Sequence, residues 1–198
     1  SSDVCSSDLT DGREIASWPQ LHSDVVLAAA YSPDGLLIAT GGADRFARIV
    51  DPGAVRLLRS LEGHTGHVLS VAWAPHGRLL VTGGGDYSVK WWETATGTRR
   101  KQASGFTKEI GAVGYFGNTS VAAVSGDPFV RLLNENAETL LNLDGVKDFQ
   151  NAAAISPDGR WLVAGGHDGI LRVWTENATP PVAVPPAPDR RPQTASAR

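Results

Sequence analysis

The sequence predicts an all-β protein in which one four-stranded antiparallel module is laid down four times, and three observations predict it. The stretches ATGGADRFARIVD (39–51), VTGGGDYSVKWWE (81–93), VSGDPFVRLLN (124–134) and VAGGHDGILRVWT (163–175) are variants of one pattern. Their aspartates, Asp44, Asp86, Asp127 and Asp168, lie 42, 41 and 41 residues apart, a period that belongs to stacked or radial repeats. Between the turn signals lie short runs of β-branched and aromatic residues, which read as strands.

In the first unit, residues 22–63, the strand-forming runs are VVLAAAYS, LLIATGG, FARIV and VRLLRSLEG, with turns at SPDG (32–35) and at Ala43-Asp44. The second unit, 64–105, is the clearest. VLSVAW (68–73) is rich in β-formers, APHG (74–77) turns, RLLVTGG (78–84) returns, and Gly85-Asp86 turns tightly into YSVKWW (87–92). ETATG (93–97) then leads to TRRKQASG (98–105), a more polar outer strand. The third unit, 106–145, has IGAVGYF, a shortened turn GNT (117–119), SVAAVSG, FVRLL and TLLNLDG, so its pattern survives a one-residue deletion. The fourth, 146–175, has AAAIS, SPDG (156–159), RWLVAGG and GILRVW, and stops without an outer strand.

The two ends differ in character. Residues 3–9, DVCSSDL, are what one frame of GACGTGTGCTCTTCCGATCT encodes, a sequence resembling a short-read sequencing adapter. Residues 1–9 are therefore expected to be an adapter artefact joined to a reading frame truncated at its start, in a chain with no Met. The only cysteine, Cys5, falls there, so the rest offers no disulfide, thiolate or Cys-based metal site. Residues 176–198 carry Pro180, Pro181, Pro185, Pro186, Pro188 and Pro192 and no aromatic side chain, which predicts a disordered tail. Residues 10–21 match the segment that follows the third strand of a unit, the remnant of an outer strand whose own unit is absent.

With these residues in view, the chain resembles WD-repeat β-propeller blades: Gly63-His64, the SPDG turns, the turn aspartates and Trp92-Glu93 carry the likeness. The resemblance implies a hydrogen-bonded tetrad in each blade. In the second unit it falls on His64, Thr82, Asp86 and Trp92. The others match in part: His22, Thr40 and Asp44 with Val50 for Trp; Asp127 with Leu133 for Trp; Asp168 and Trp174 with Val146 and Ala164 at the His and Thr positions. A turn aspartate can hold an imidazole, which orients a hydroxyl, which meets an indole N–H. Glycines before the aspartate are expected to permit the tight turn and to leave room for it.

The resemblance further implies rings of about seven blades, closed by an early strand of the chain. The expected architecture is thus a partial propeller, the carboxy-terminal arc of a larger ring, whose missing blades would come from the same parent chain. Pairing of residues 13–20 with the last blade, closing a four-bladed ring, is the competing geometry.

Net charge is −3 and the isoelectric point near 5.9, which removes the electrostatic case for nucleic-acid binding. No apolar run is long enough to span a membrane. The glycine runs at 41–42, 83–85 and 165–166 open no helix, so they do not read as phosphate loops. No GxSxG-like elbow is present, the aspartates recur by period as scaffold residues do, and His67, His76 and His167 fall in unrelated turns and strand starts. Neither catalysis, nor a metal, nor a cofactor is expected. Trp92 is expected to pack in the tetrad and Trp91 to face the neighbouring blade.

Function in such folds sits on the face formed by the connections into each inner strand. There the register places Val25, His67, Glu109 and Phe149, a chemically mixed set that suits a protein partner. The first reading is accordingly a non-catalytic interaction scaffold. A second rests on EGHTGHVLSVAWAPHG, GFTKEIGAVGYFG and VAGGHDGILRVW, which resemble bacterial proteins joining a c-type cytochrome to a propeller. That resemblance implies an accessory domain of a periplasmic electron-transfer protein, with any haem motif upstream.

Overall fold

The computed structural model describes Glu14 and residues 16–146, 148–156 and 158–175. The expected adapter segment and the Pro-rich tail lie outside the described residues. Among the described residues all regular structure is strand, arranged in four antiparallel sheets that follow one another along the chain. Sheet 1 comprises β1 (Val26–Tyr31), β2 (Ile38–Gly42), β3 (Ala47–Asp51) and β4 (Arg56–Leu61). Sheet 2 comprises β5 (Val68–Trp73), β6 (Leu79–Gly84), β7 (Val89–Glu93) and β8 (Arg99–Ala103). Sheet 3 comprises β9 (Ile110–Phe116), β10 (Ser120–Ser125), β11 (Val130–Leu133) and β12 (Thr139–Leu143). Sheet 4 has three strands, β13 (Gln150–Ile155), β14 (Trp161–Gly166) and β15 (Leu171–Thr175). Each sheet is an up-and-down meander in chain order, so its fourth strand, where present, is an outer edge. Within 10–21, Glu14 and residues 16–21 form no strand.

The sheets stack face to face, and the stacking buries what the strand alternation presents. Side chains alternate across a strand, so β7 sends Trp92 toward sheet 1 and Trp91 toward sheet 3. Trp92 packs with Ile49, Leu61, Val68 and Leu80, whereas Trp91 packs with Phe106, Ile110, Tyr115 and Leu133. A third core joins Phe116, Val124 and Val130 of sheet 3 to Leu162 and Ala164 of sheet 4. Every residue of β6 is buried, as a sheet covered on both faces requires. The first strands of consecutive sheets lie against each other, β1 on β5, β5 on β9 and β9 on β13. Hydrogen bonds cross the junctions, among them Trp73 Nε1–H to Ala30 O at 3.1 Å and Val113 N–H to Ser70 Oγ at 2.9 Å.

A register shift recurs where each first strand meets its second, at Val26/Ala28, Val68/Ser70, Val124/Ser125 and Gln150/Ala152. An extra residue there bends the strand and adds twist, which suits strands that must converge on a common line. The two outermost faces are exposed: Val26 and Tyr31 on sheet 1, Leu171 and Val173 on sheet 4.

Candidate functional site

The four turns that join second to third strands carry the aspartates, and in sheet 2 the structure brings His64, Thr82, Asp86 and Trp92 together. The His64 Nδ1–H donates to both oxygens of Asp86 at 3.0 Å. Thr82 Oγ1 lies 2.7 Å from His64 Nε2 and accepts the Trp92 indole N–H at 2.9 Å. One proton arrangement satisfies all of it: the imidazole is neutral with its proton on Nδ1, and the threonine hydroxyl donates to Nε2 while accepting from the indole. Asp86 also accepts the Thr65 N–H at 3.0 Å and the Ser88 hydroxyl at 2.7 Å.

A fifth member completes this cluster. Lys90 Nζ donates to Asp86 at 2.7 Å from a side chain only 2 % exposed. The same relation, a cation four residues after the turn aspartate, occurs in every sheet: Arg48 with Asp44 at 2.7 Å, Arg131 with Asp127 at 3.4 Å, and Arg172 with Asp168 at 2.7 Å. Sequence reasoning missed these residues, although Asp-x-x-x-Lys/Arg stands in all four repeats.

The clusters set the charge states. Burial works to raise the Asp86 pKa, but donation from His64, Lys90 and Ser88 outweighs it and holds the carboxyl well below the ordinary carboxylate range. Asp44 is likewise held at about 2, its desolvation overcome by His22 and Arg48. The His64 pKa is pushed down, first by burial and then by the Lys90 ammonium, against the pull of Asp86.

The other sheets depart from the tetrad in different ways. His22 bridges Asp44 and Thr40, each at 2.8 Å, while buried Val50 stands where an indole would meet Thr40. In sheet 3, Phe106 occupies the imidazole position, and Arg131 lies over its ring at 4.2 Å and over Phe129 at 5.3 Å. Asp127 there accepts from the backbone and hydroxyl of Thr107. In sheet 4, buried Val146 and Ala164 provide neither imidazole nor hydroxyl, so Trp174 has no hydroxyl at Ala164 to meet.

The glycines need a correction. They do not bend the turns: the left-handed position falls one residue after the aspartate, on Arg45 (φ 73°), Tyr87 (φ 59°) and Gly169 (φ 70°). The other half of the expectation holds, since the glycines supply room. A Cβ on Gly84 would lie 2.5 Å from His64 Nδ1, and one on Gly83 would lie 2.6 Å from Ile110 Cγ2.

Val25, His67, Glu109 and Phe149 each stand immediately before β1, β5, β9 and β13. Val25, His67 and Glu109 are exposed, but Phe149 is half-buried, its ring 5.7 Å from that of His167. It is therefore less available than an exposed position, because the sheet 4 turn covers it. His76 pairs with Glu135 at 3.3 Å. Among the described residues, no group of three or more His, Cys, Asp or Glu is placed to hold a metal ion.

A family model described as "WD domain, G-beta repeat" matches residues 13–51, 55–93 and 139–175. The second and third windows begin at an outer strand of one sheet and end with the third strand of the next. The chain is 28% identical over 95 residues to "Target of rapamycin complex subunit wat1" of Schizosaccharomyces pombe, 46% of this chain and 30% of that protein. It is 25% identical over 91 residues to "Target of rapamycin complex subunit LST8" of Mus musculus, 44% of this chain and 28% of that protein. These matches thus cover under a third of the relatives' length. They lend no support to the cytochrome-joined resemblance.

Proposed function

The chain belongs to the WD-repeat family, and from that premise we propose that it is a non-catalytic scaffold whose loop face receives a protein partner within a larger complex. The observation that carries this reading is where the reactive side chains spend their hydrogen bonds. His22 and His64, the histidines paired to aspartates, each hold a carboxylate on one nitrogen and a threonine hydroxyl on the other. A general base needs a nitrogen within reach of substrate, and here both are committed inside the fold. The face beyond is built from Val25, His67, Glu109 and Phe149, held in fixed relation by the sheets beneath them. A rigid surface with mixed apolar, imidazole and carboxylate groups binds without large reorganisation. The relatives named as subunits of the target of rapamycin complex favour the same kind of role, that of a part in an assembly.

The test is a comparative capture with the full chain and a variant carrying Val25→Asp, His67→Ala, Glu109→Lys and Phe149→Ala, after both are shown to melt alike. Proteins cross-linked by the parent chain and lost by the variant support the reading. An unchanged capture profile, or a hydrolytic or transfer activity that follows His64, would overturn it.

A further inference from the structure

We propose that the outer edge of sheet 2 is a second binding site, at which β8 takes an extended acidic segment of a partner protein as a fifth strand. The chain as a whole is acidic, yet β8 reads Arg99-Arg100-Lys101-Gln102-Ala103, and no Asp or Glu occurs from residue 94 to residue 108. Arg99, Arg100 and Lys101 are all exposed. The neighbouring outer strand β4 adds exposed Arg56 and Arg59, in a stretch from 52 to 61 that also lacks an acid. The two strands are joined into one rim, because the Arg59 guanidinium donates to Ala95 O at 3.0 Å from Nε.

Compensation along this rim is slight. Arg56 lies 3.7 Å from Asp51 and Arg100 lies 3.8 Å from Glu93, both long pairs with more than half of each cation's side chain exposed. Among the described residues Arg99 hydrogen-bonds to the neutral amide of Gln102, at 3.2 Å, and to no carboxylate. Exposed pairs of this kind contribute little and exchange readily for a better carboxylate.

Backbone geometry selects the form of the ligand. Among the described residues β8 closes its sheet, pairing with β7 on one side only, and an open edge templates another strand. Cations can merely blunt such an edge, but β12, an edge strand in the same position of sheet 3, reads Thr139-Leu-Leu-Asn-Leu143 and carries no charge. The charge therefore marks sheets 1 and 2 specifically. The register shift between Trp91 and Trp92 leaves Arg100 as the extra residue of β8. Cations then stand on both sides of the strand, so carboxylates on either face of an added strand find a partner.

The site is separate from the loop face and fails or stands independently of it. The probe is a fluorescein-labelled peptide of alternating Glu and Val, titrated by anisotropy with the full chain at low salt. Saturable binding is expected, weakened at least about tenfold by Arg99→Glu with Lys101→Glu and by raised salt. Arg99→Gln with Lys101→Gln, with an unchanged melting curve, should weaken it in the same direction. A peptide with Pro replacing Val, equal in charge but unable to pair as a strand, should bind markedly less. No saturable binding, binding indifferent to the 99/101 substitutions, equal binding of the Pro peptide, or tighter binding of single-stranded DNA of equal charge would each overturn the proposal.

Discussion

Replacing Asp86 by alanine removes the one anion from a cluster that holds a buried ammonium. Lys90, with a side chain 2 % exposed, loses its carboxylate, and the His64 Nδ1–H loses its acceptor. Breaking a buried ion pair from one side costs about 4 kcal/mol, because the remaining charge stays out of water. Asp127→Ala takes away less. Arg131 sits 3.4 Å from that carboxylate, and it keeps the Gly105 carbonyl at 2.7 Å and the Phe106 ring. That loss is nearer about 2 kcal/mol, the worth of stranded hydrogen-bonding groups. In a chain of this size, a difference of about 2 kcal/mol separates the melting temperatures by roughly 6 °C. Thermal unfolding followed by circular dichroism reads it directly. Adding Lys90→Met to Asp86→Ala should restore part of the loss, since the stranded ammonium is its main cause. Equal melting shifts for the two alanine variants, or no recovery in the double variant, would refute the reasoning.

Other outcomes follow from the same contacts. Thr82→Val strands both the His64 Nε2 and the Trp92 indole N–H, so it should cost about 2 to 3 kcal/mol in denaturant titration, more than Thr40→Val, which strands His22 alone. Gly84→Ala should cost about 3 kcal/mol by forcing His64 and Asp86 apart, whereas Gly35→Ala, with nothing within 4 Å of its Cβ but a φ of +73°, should cost about 1 kcal/mol. Asp44 is held at about 2 against an ordinary 3.8, so its stabilisation is complete above pH 3.8 and lost as pH falls through about 2. The loss is about 2 kcal/mol, and Asp44→Asn should remove that part of the acid unfolding profile. The lowered His64 pKa acts in the same direction at higher pH. Below pH 6.5 the unfolded chain takes up a proton that the folded imidazole refuses, so stability declines there, and His64→Gln should flatten the decline.

The sheets were legible because they rest on local chemistry. The spacing of Asp44, Asp86, Asp127 and Asp168, the SPDG turns and the alternating runs between them state the strand order without reference to the rest of the molecule. The resemblance of Gly63-His64 and Trp92-Glu93 to a known blade led directly to four side chains that meet in space. The cations escaped notice for a physical reason. Lys90 on a short strand reads as a solvated charge, and only the fold, which brings His64 and Asp86 around its ammonium, turns it into a buried partner. The same holds for Phe106, whose place over Arg131 depends on a turn in another part of the sheet. Gly83 and Gly84 are expected to leave room beside the turn, but sequence reports what a residue permits, not what lies beside it. Their neighbours, Ile110 and His64, come from outside the turn.

A neutral His64 joins a carboxylate to a hydroxyl at the centre of sheet 2, and long-range proton–nitrogen correlation NMR of its ring reads that state. The prediction is a slowly exchanging proton on Nδ1, an acceptor Nε2, and a protected Trp92 indole proton that persists as pH is lowered below 6.5. A ring protonated on Nε2, or one that exchanges freely and titrates at the ordinary histidine value, would contradict it.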